Sequence, residues 1–142
     1  MKVSARNVFA GKVCAVKPGS VNAEVELELP GGDRLVAIVT QESVMTLGIA
    51  EGREVVALVK APWVMLMTEG SGMRLSARNC LAGTVKAVQP GAVNAEVVLT
   101  LAGGSEVAAI VTKEAVAELG LRPGVAATAV IKASHIVLGV PI

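Results

Sequence analysis

From Val21 to Leu29 apolar and polar residues alternate without a break. Val21, Ala23, Val25, Leu27 and Leu29 share one face of an extended chain, and Asn22, Glu24, Glu26 and Glu28 share the other. That period of two predicts a strand with one side in a core and one toward water. Pro30-Gly31-Gly32-Asp33 has the composition of a hairpin turn, and residues 34–39, rich in β-branched side chains, predict the returning strand. Upstream, Val3, Val8 and Phe9 mixed with Ser4-Ala5-Arg6-Asn7 predict a short strand or a strand-to-loop junction. Gly11 then opens a second strand over 12–16, closed by the turn dipeptide Pro18-Gly19. At Thr40 the period changes. Thr40 is placed as a helix N-cap, Glu42 as an acid favourable to the first turn, and Gly48 as the left-handed stop. Residues 54–67 predict a last long strand with Lys60 near its middle, and residues 68–72 a linker.

The same pattern then starts again. Shifted by 72 positions and without gaps, Ser4-Ala5-Arg6-Asn7 meets Ser76-Ala77-Arg78-Asn79, and Val21-Asn22-Ala23-Glu24-Val25 meets Val93-Asn94-Ala95-Glu96-Val97. Thr40 meets Thr112, Leu47-Gly48 meets Leu119-Gly120, and Lys60-Ala61 meets Lys132-Ala133. A duplication of fixed period decides the architecture. Strands are expected near 74–88, 93–101, 106–111 and 125–138, with Thr112 capping the second helix. Five strands with one short helix is the element order of an OB-like Greek-key barrel. The expected fold is all-β: two tandem OB-like five-stranded barrels, each with one short helix, over residues 1–69 and 73–142.

Composition refines this picture. At 53% hydrophobic and a mean hydropathy of +0.64, the chain carries more apolar matter than two small cores need, so an obligate homo-oligomer is expected. Thirteen basic and 12 acidic residues leave a net charge of +1 with no run of either sign, which argues against a nucleic-acid face or a polybasic membrane patch. Phe9 and Trp63 alone do not make a stacking platform for single strands. Lys2 is not followed by an apolar signal region, and no apolar run is long enough to span a bilayer; a cytoplasmic protein is expected. Cys14 and Cys80 align with Lys86 and Val8, not with each other, and are read as small buried apolar side chains rather than a disulfide or metal site.

The polar residues common to both repeats are donors: hydroxyls, a guanidinium, an ammonium and loop N–H groups. No nucleophile stands with a base. His135, the one histidine, aligns with Trp63 and belongs to one repeat only, so no enzyme and no cofactor are expected. Donors without a base describe a receptor for a fully ionised oxyanion, with Arg and Lys supplying two positive charges. Each part has a plainer reading beside it. Thr40 and Thr112 serve as helix caps in any case, Arg6 and Arg78 could pair with Glu24 and Glu96, and Gly19 and Gly91 are turn residues. Lys60 and Lys132, inside apolar strand runs, would need a counter-charge.

Taken together, these residues resemble the Mop (molbindin) family of molybdenum-binding domains, and among them the tandem cytoplasmic members, over nearly the whole chain. The resemblance rests on Ser4 to Asn7 with Ser76 to Asn79, Gly19 to Val25 with Gly91 to Val97, the Val-Thr helix starts, and the two Lys-Ala pairs. It implies binding of molybdate or tungstate at subunit interfaces of a trimer, for intracellular molybdenum storage, or, as the alternative, a molybdate-sensing regulatory module. It implies one class of site at Ser4, Ala5, Arg6, Thr40, Lys60 and Ala61, with Ser76, Ala77, Arg78, Thr112, Lys132 and Ala133. Ser134 joins that set, offering an N–H where Pro62 has none. A second class is implied at the loop amides of Gly19, Ser20, Val21 and Asn22, and of Gly91, Ala92, Val93 and Asn94.

Overall fold

In the computed structural model, residues 1–68 and 72–142 are described, so the middle of the expected linker lies outside the described residues. The first repeat forms β1 (Asn7–Lys17), β2 (Asn22–Glu28), β3 (Arg34–Thr40), α1 (Gln41–Leu47), β4 (Glu54–Val59) and β5 (Met65–Met67). The second forms β6 (Asn79–Pro90), β7 (Asn94–Leu101), β8 (Glu106–Thr112), α2 (Lys113–Leu119), β9 (Ala126–Ile131) and β10 (Val137–Gly139). They make two five-stranded curled sheets with a short helix each, the class expected from the repeat. The alternation holds: Ala23, Val25 and Leu27 of β2, and Leu29 just after it, are buried. Val21 is the exception, 71% exposed, because it lies in the loop before the strand.

The first strand is longer than expected. β1 runs unbroken through Gly11, pairing with β4 along its first half and with β2 along its second. The crossover falls at the glycine, where a Cβ would stand 2.9 Å from the Glu28 carbonyl oxygen; at Gly83, its counterpart, the distance to Thr100 O would be 2.6 Å. A side chain there would push the neighbouring strand away. A register shift next to it, at Cys14 in β1 and Lys86 in β6, adds the bend that lets one strand serve two partners.

The expected strand over 54–67 is two strands in two sheets. β4 ends at Val59, a 3-10 turn over Ala61–Trp63 changes the direction, and β5 pairs with β9 of the other repeat. In return, β10 pairs with β4. Each sheet therefore takes its fifth strand from the other half of the chain. Pro62 cannot donate to a ladder and favours the break, but Ser134 makes the equivalent turn without it. Trp63 N–H donates to Lys60 O at 3.0 Å and His135 N–H to Lys132 O at 2.9 Å, closing both turns alike.

Two asparagines fasten the halves. Asn7 and Asn79 are the buried polar side chains among the described residues, each 2% exposed. The Asn7 amide donates to Ala108 O at 2.8 Å, and its oxygen accepts from Ala108 N–H at 2.7 Å. Asn79 does the same to Val36, both at 2.8 Å, and reaches Ile131 O at 3.2 Å. Val36 and Ala108 lie on β3 and β8, the strands at the open ends of the two sheets. Each side-chain amide thus takes the place of a missing neighbouring strand for one residue, blunting an edge. A third contact joins the hairpin tips, where Asp33 accepts from Gly103 N–H at 2.9 Å and from Ser105 N–H at 3.3 Å.

Removing the Asn79 amide strands the N–H and C=O of half-buried Val36 on β3. With about 1–2 kcal/mol for each half-buried group left unsatisfied, the lower part of the range for buried ones, Asn79→Ala is expected to lower the unfolding free energy by about 2–4 kcal/mol. Urea denaturation measures it; a loss below about 0.5 kcal/mol would mean that water replaces the amide freely.

Candidate functional site

The strand exchange decides which residues meet. Ser4, Ala5 and Arg6 lead into β1, and the Asn7–Val59 pairing brings this segment alongside Lys60 and Ala61 at the end of β4. The 3-10 turn that follows packs on β8, whose last residue is Thr112. In the mirror arrangement, Ser76, Ala77 and Arg78 lie alongside Lys132 and Ala133 through the Asn79–Ile131 pairing, and the turn after Lys132 packs on β3, which ends at Thr40. A cleft of about 390 Å³ lies where that turn meets β3, with Thr40, Ser43 and Asn22 from one repeat and Ser134 from the other between walls of Ile38 and Ile136; Arg78 and Lys132 do not line it. Strand pairing and turn packing therefore set the threonine-bearing strand of one repeat beside the arginine and lysine segments of the other. Sequence grouping by repeat does not produce that combination.

The donors face outward. Ser4, Arg6, Thr40, Lys60, Ser76, Arg78, Thr112, Lys132 and Ser134 are exposed, Ala5 and Ala77 half-buried, and Ala61 and Ala133 buried. Lys60 and Lys132 correct the sequence reading. They are the residues before the two turns rather than mid-strand, so their ammonium groups stay in water and no burial cost demands a counter-charge. Lys60 Nζ sits 5.7 Å from the centre of the Trp63 ring, and that ring lies 4.8 Å from His135, its counterpart in the other repeat.

Both threonines cap their helices as expected. Thr40 Oγ1 accepts from Ser43 N–H and Thr112 Oγ1 from Ala115 N–H, each at 3.0 Å. Gly48 and Gly120 stop the helices at φ 64° and 63°. Capping uses an acceptor lone pair of the hydroxyl and leaves its proton available, so Thr112 can cap and donate to an anion at once. Thr40 shares its hydroxyl with Ser43 Oγ at 2.7 Å. Ser43 escapes sequence reading because its counterpart is Ala115.

The arginines are already paired, and across repeats. Arg6 meets Glu96 at 2.7 Å and Arg78 meets Glu24 at 2.6 Å, whereas pairing within a repeat would have joined Arg6 to Glu24. The loops of the second expected site are tied to the helix starts: Gln41 N–H donates to Val21 O at 2.8 Å and Lys113 N–H to Val93 O at 2.9 Å. Gly19, Ser20, Val21 and Asn22, like Gly91, Ala92, Val93 and Asn94, are all exposed. The Gly91 N–H is spent on Asn94 O at 2.8 Å, which removes it from any set of anion donors.

The cysteines also depart from expectation. Cys80 is exposed, at the start of β6, and Cys14 is half-buried, donating to Glu26 O at 3.3 Å. Burial, with the Glu26 carboxylate beside it, pushes the Cys14 thiol above its ordinary pKa, and nearby Arg34 pulls the other way. No group of His, Cys, Asp and Glu that could hold a metal ion occurs among the described residues, and none of their helices is long and apolar enough to cross a membrane.

The model of the TOBE domain matches residues 3–66 and again 75–138. The chain is 45% identical over 141 residues to the molybdenum-pterin-binding protein MopA of Rhodobacter capsulatus, covering 99% of this chain and 53% of MopA. It is 46% identical over 140 residues to the molybdenum transport protein ModE of Azotobacter vinelandii, covering 99% of this chain and 52% of ModE. The chain thus spans about half the length of these curated relatives. Among solved structures, it matches the cytoplasmic molybdate-binding protein ModG with molybdate bound at 66% identity and a TM-score of 0.96, over 99% of this chain and 100% of that one. The chain belongs to the TOBE-domain family, as a tandem pair of its Mop-type domains.

Proposed function

We propose that the protein binds molybdate, and tungstate with it, without catalysis, serving as a cytoplasmic oxyanion store that works as a homo-oligomer, a trimer. One observation carries this reading: two clusters of hydroxyl, guanidinium and ammonium donors, each drawn from both repeats, with no nucleophile and base among them. Ser4, Ala5, Arg6, Lys60 and Ala61 with Thr112 form one binding set. Ser76, Ala77, Arg78, Lys132, Ala133 and Ser134 with Thr40 form the other. The Gly19–Asn22 and Gly91–Asn94 loops make the second class of site, the latter through Ala92, Val93 and Asn94, since the Gly91 N–H is spent within the loop. Donors alone suit anions that are fully ionised near pH 7, such as molybdate and tungstate, and disfavour phosphate, whose partial P–OH would face a donor. The likeness to ModG, described as cytoplasmic and holding molybdate, supports the choice of ligand.

The need for further copies follows from exposure. A donor set lying open on one chain competes with bulk water, and enclosure raises the strength of each charged hydrogen bond. Val8, Leu58 and Val137 stand side by side across β1, β4 and β10 on the outer face of the first sheet, with Val8 46% and Val137 57% exposed. Met65, on β5 of the other sheet, is 57% exposed. Apolar surface of this kind is what a neighbouring copy covers. A second reading, a molybdate-sensing module, is supported by the match to half of ModE. Deleting the gene separates the two: cell molybdenum content falls with uptake expression unchanged for a store, whereas uptake expression itself changes for a sensor.

Loss of one charged hydrogen bond is worth about 1.5–3 kcal/mol. Lys60→Ala and Lys132→Ala are each expected to weaken molybdate binding roughly 10- to 150-fold at half of the sites built on the arginine and lysine pairs. Isothermal titration decides this; unchanged affinity and stoichiometry in both variants would remove the lysines from the site. Val137→Glu is expected to lower the solution mass, measured by light scattering, toward that of one chain and to weaken molybdate uptake. A mass equal to that of the parent would place the subunit contact elsewhere.

A further inference from the structure

Arg6 and Arg78 already hold an anion each, and it comes from the protein. Arg6 Nη2 lies 2.8 and 2.7 Å from the two carboxylate oxygens of Glu96. Arg78 Nη1 and Nη2 lie 2.6 and 3.0 Å from those of Glu24. The carboxylate is the fixed end of each pair. Glu24 stands within β2 opposite Ile38, and Glu96 within β7 opposite Ile110, and both side chains are only 22% exposed. The guanidinium is the looser end, on the irregular segment ahead of β1 or β6, with side chains 57% and 49% exposed. Lys60 and Lys132 have no carboxylate partner among the described residues.

We propose that Glu24 and Glu96 are resident counter-anions that set the charge selectivity of the two sites; this rests on Arg6 and Arg78 being oxyanion ligands. Each carboxylate occupies guanidinium donors that an arriving oxyanion would take. A singly charged anion offers the arginine no more charge than the glutamate already does, and it gives up its hydration to enter. A dianion doubles the Coulomb attraction to the arginine and lysine together and so prevails over the carboxylate. The same carboxylate repels the dianion once it is bound, which weakens retention and keeps uptake reversible. Both effects depend on the negative charge of the glutamate rather than on its shape. A carboxylate that merely aims the guanidinium would act in the opposite direction, since its loss would loosen the site.

The test uses the full chain with Glu24→Gln and Glu96→Gln, singly and together, titrated with molybdate and with perrhenate, a tetrahedral oxyanion of single charge. The double variant is expected to bind molybdate about tenfold tighter, as removal of one repulsive charge near the anion allows, and to take up perrhenate, which the parent is expected to exclude. Each single variant keeps one cross-repeat ion pair to hold the fold and shows the change at half of the sites. Molybdate affinity that is unchanged or lower in the double variant, with perrhenate still excluded, overturns the proposal. Arg6→Ala and Arg78→Ala locate the fault. If they weaken molybdate binding while the glutamine variants do nothing, only the counter-anion role falls. If they leave molybdate binding intact, the arginine assignment falls and this inference falls with it.

Discussion

The paired amide bonds of Asn7 to Ala108 and of Asn79 to Val36 are the constraint from which the rest of the molecule follows. An asparagine presents a donor beside an acceptor at the spacing of a peptide group, so it can close one rung on the free edge of a sheet. Because the edge belongs to the other repeat, the segment that carries each asparagine is drawn across the duplication. Buried as they are, these amides have no water to fall back on, and the bonds are made or the burial is lost. Exchange of β5 and β10 acts in the same sense, and neither half completes its own sheet.

Crossing of the chain gives the donor clusters their composition. The residue before each asparagine is an arginine, so fastening the asparagine sets the guanidinium over the partner repeat, where Glu96 or Glu24 receives it. The turn after each lysine is carried to the same place by the exchanged strand, close to the end of the strand that becomes a helix at its capping threonine. Scaffold and site are thus made by one set of contacts. A change that loosens the halves therefore disturbs both clusters.

Much of this was legible in the residues. Alternation from Ala23 to Leu29, the capping threonines and the stopping glycines follow local rules, and the structure keeps them. Strand exchange was not legible. Nothing in the apolar run from Val55 to Leu66 except Pro62 marks a break, and the second repeat breaks at the same place without a proline. Duplication itself hides the pairing of Arg6, because Glu24 and Glu96 stand in the same sequence surroundings and only the fold tells them apart. The role of Asn7 was hidden for a different reason. Its partner is a backbone peptide, which carries no signature in the sequence, so the asparagine passed as one more donor in a motif of donors.

The central claim is that each anion site joins the lysine of one repeat to the threonine of the other. Stoichiometric titration with molybdate of two double variants tests it most directly. In Lys60→Ala with Thr112→Ala both lesions fall on one cluster, so half of the sites built on the arginine and lysine pairs should survive at the affinity of the parent. In Lys60→Ala with Thr40→Ala the lesions are shared out, and none of those sites should keep that affinity. The reverse result, half surviving in the second variant and none in the first, would contradict the account and return each site to a single repeat.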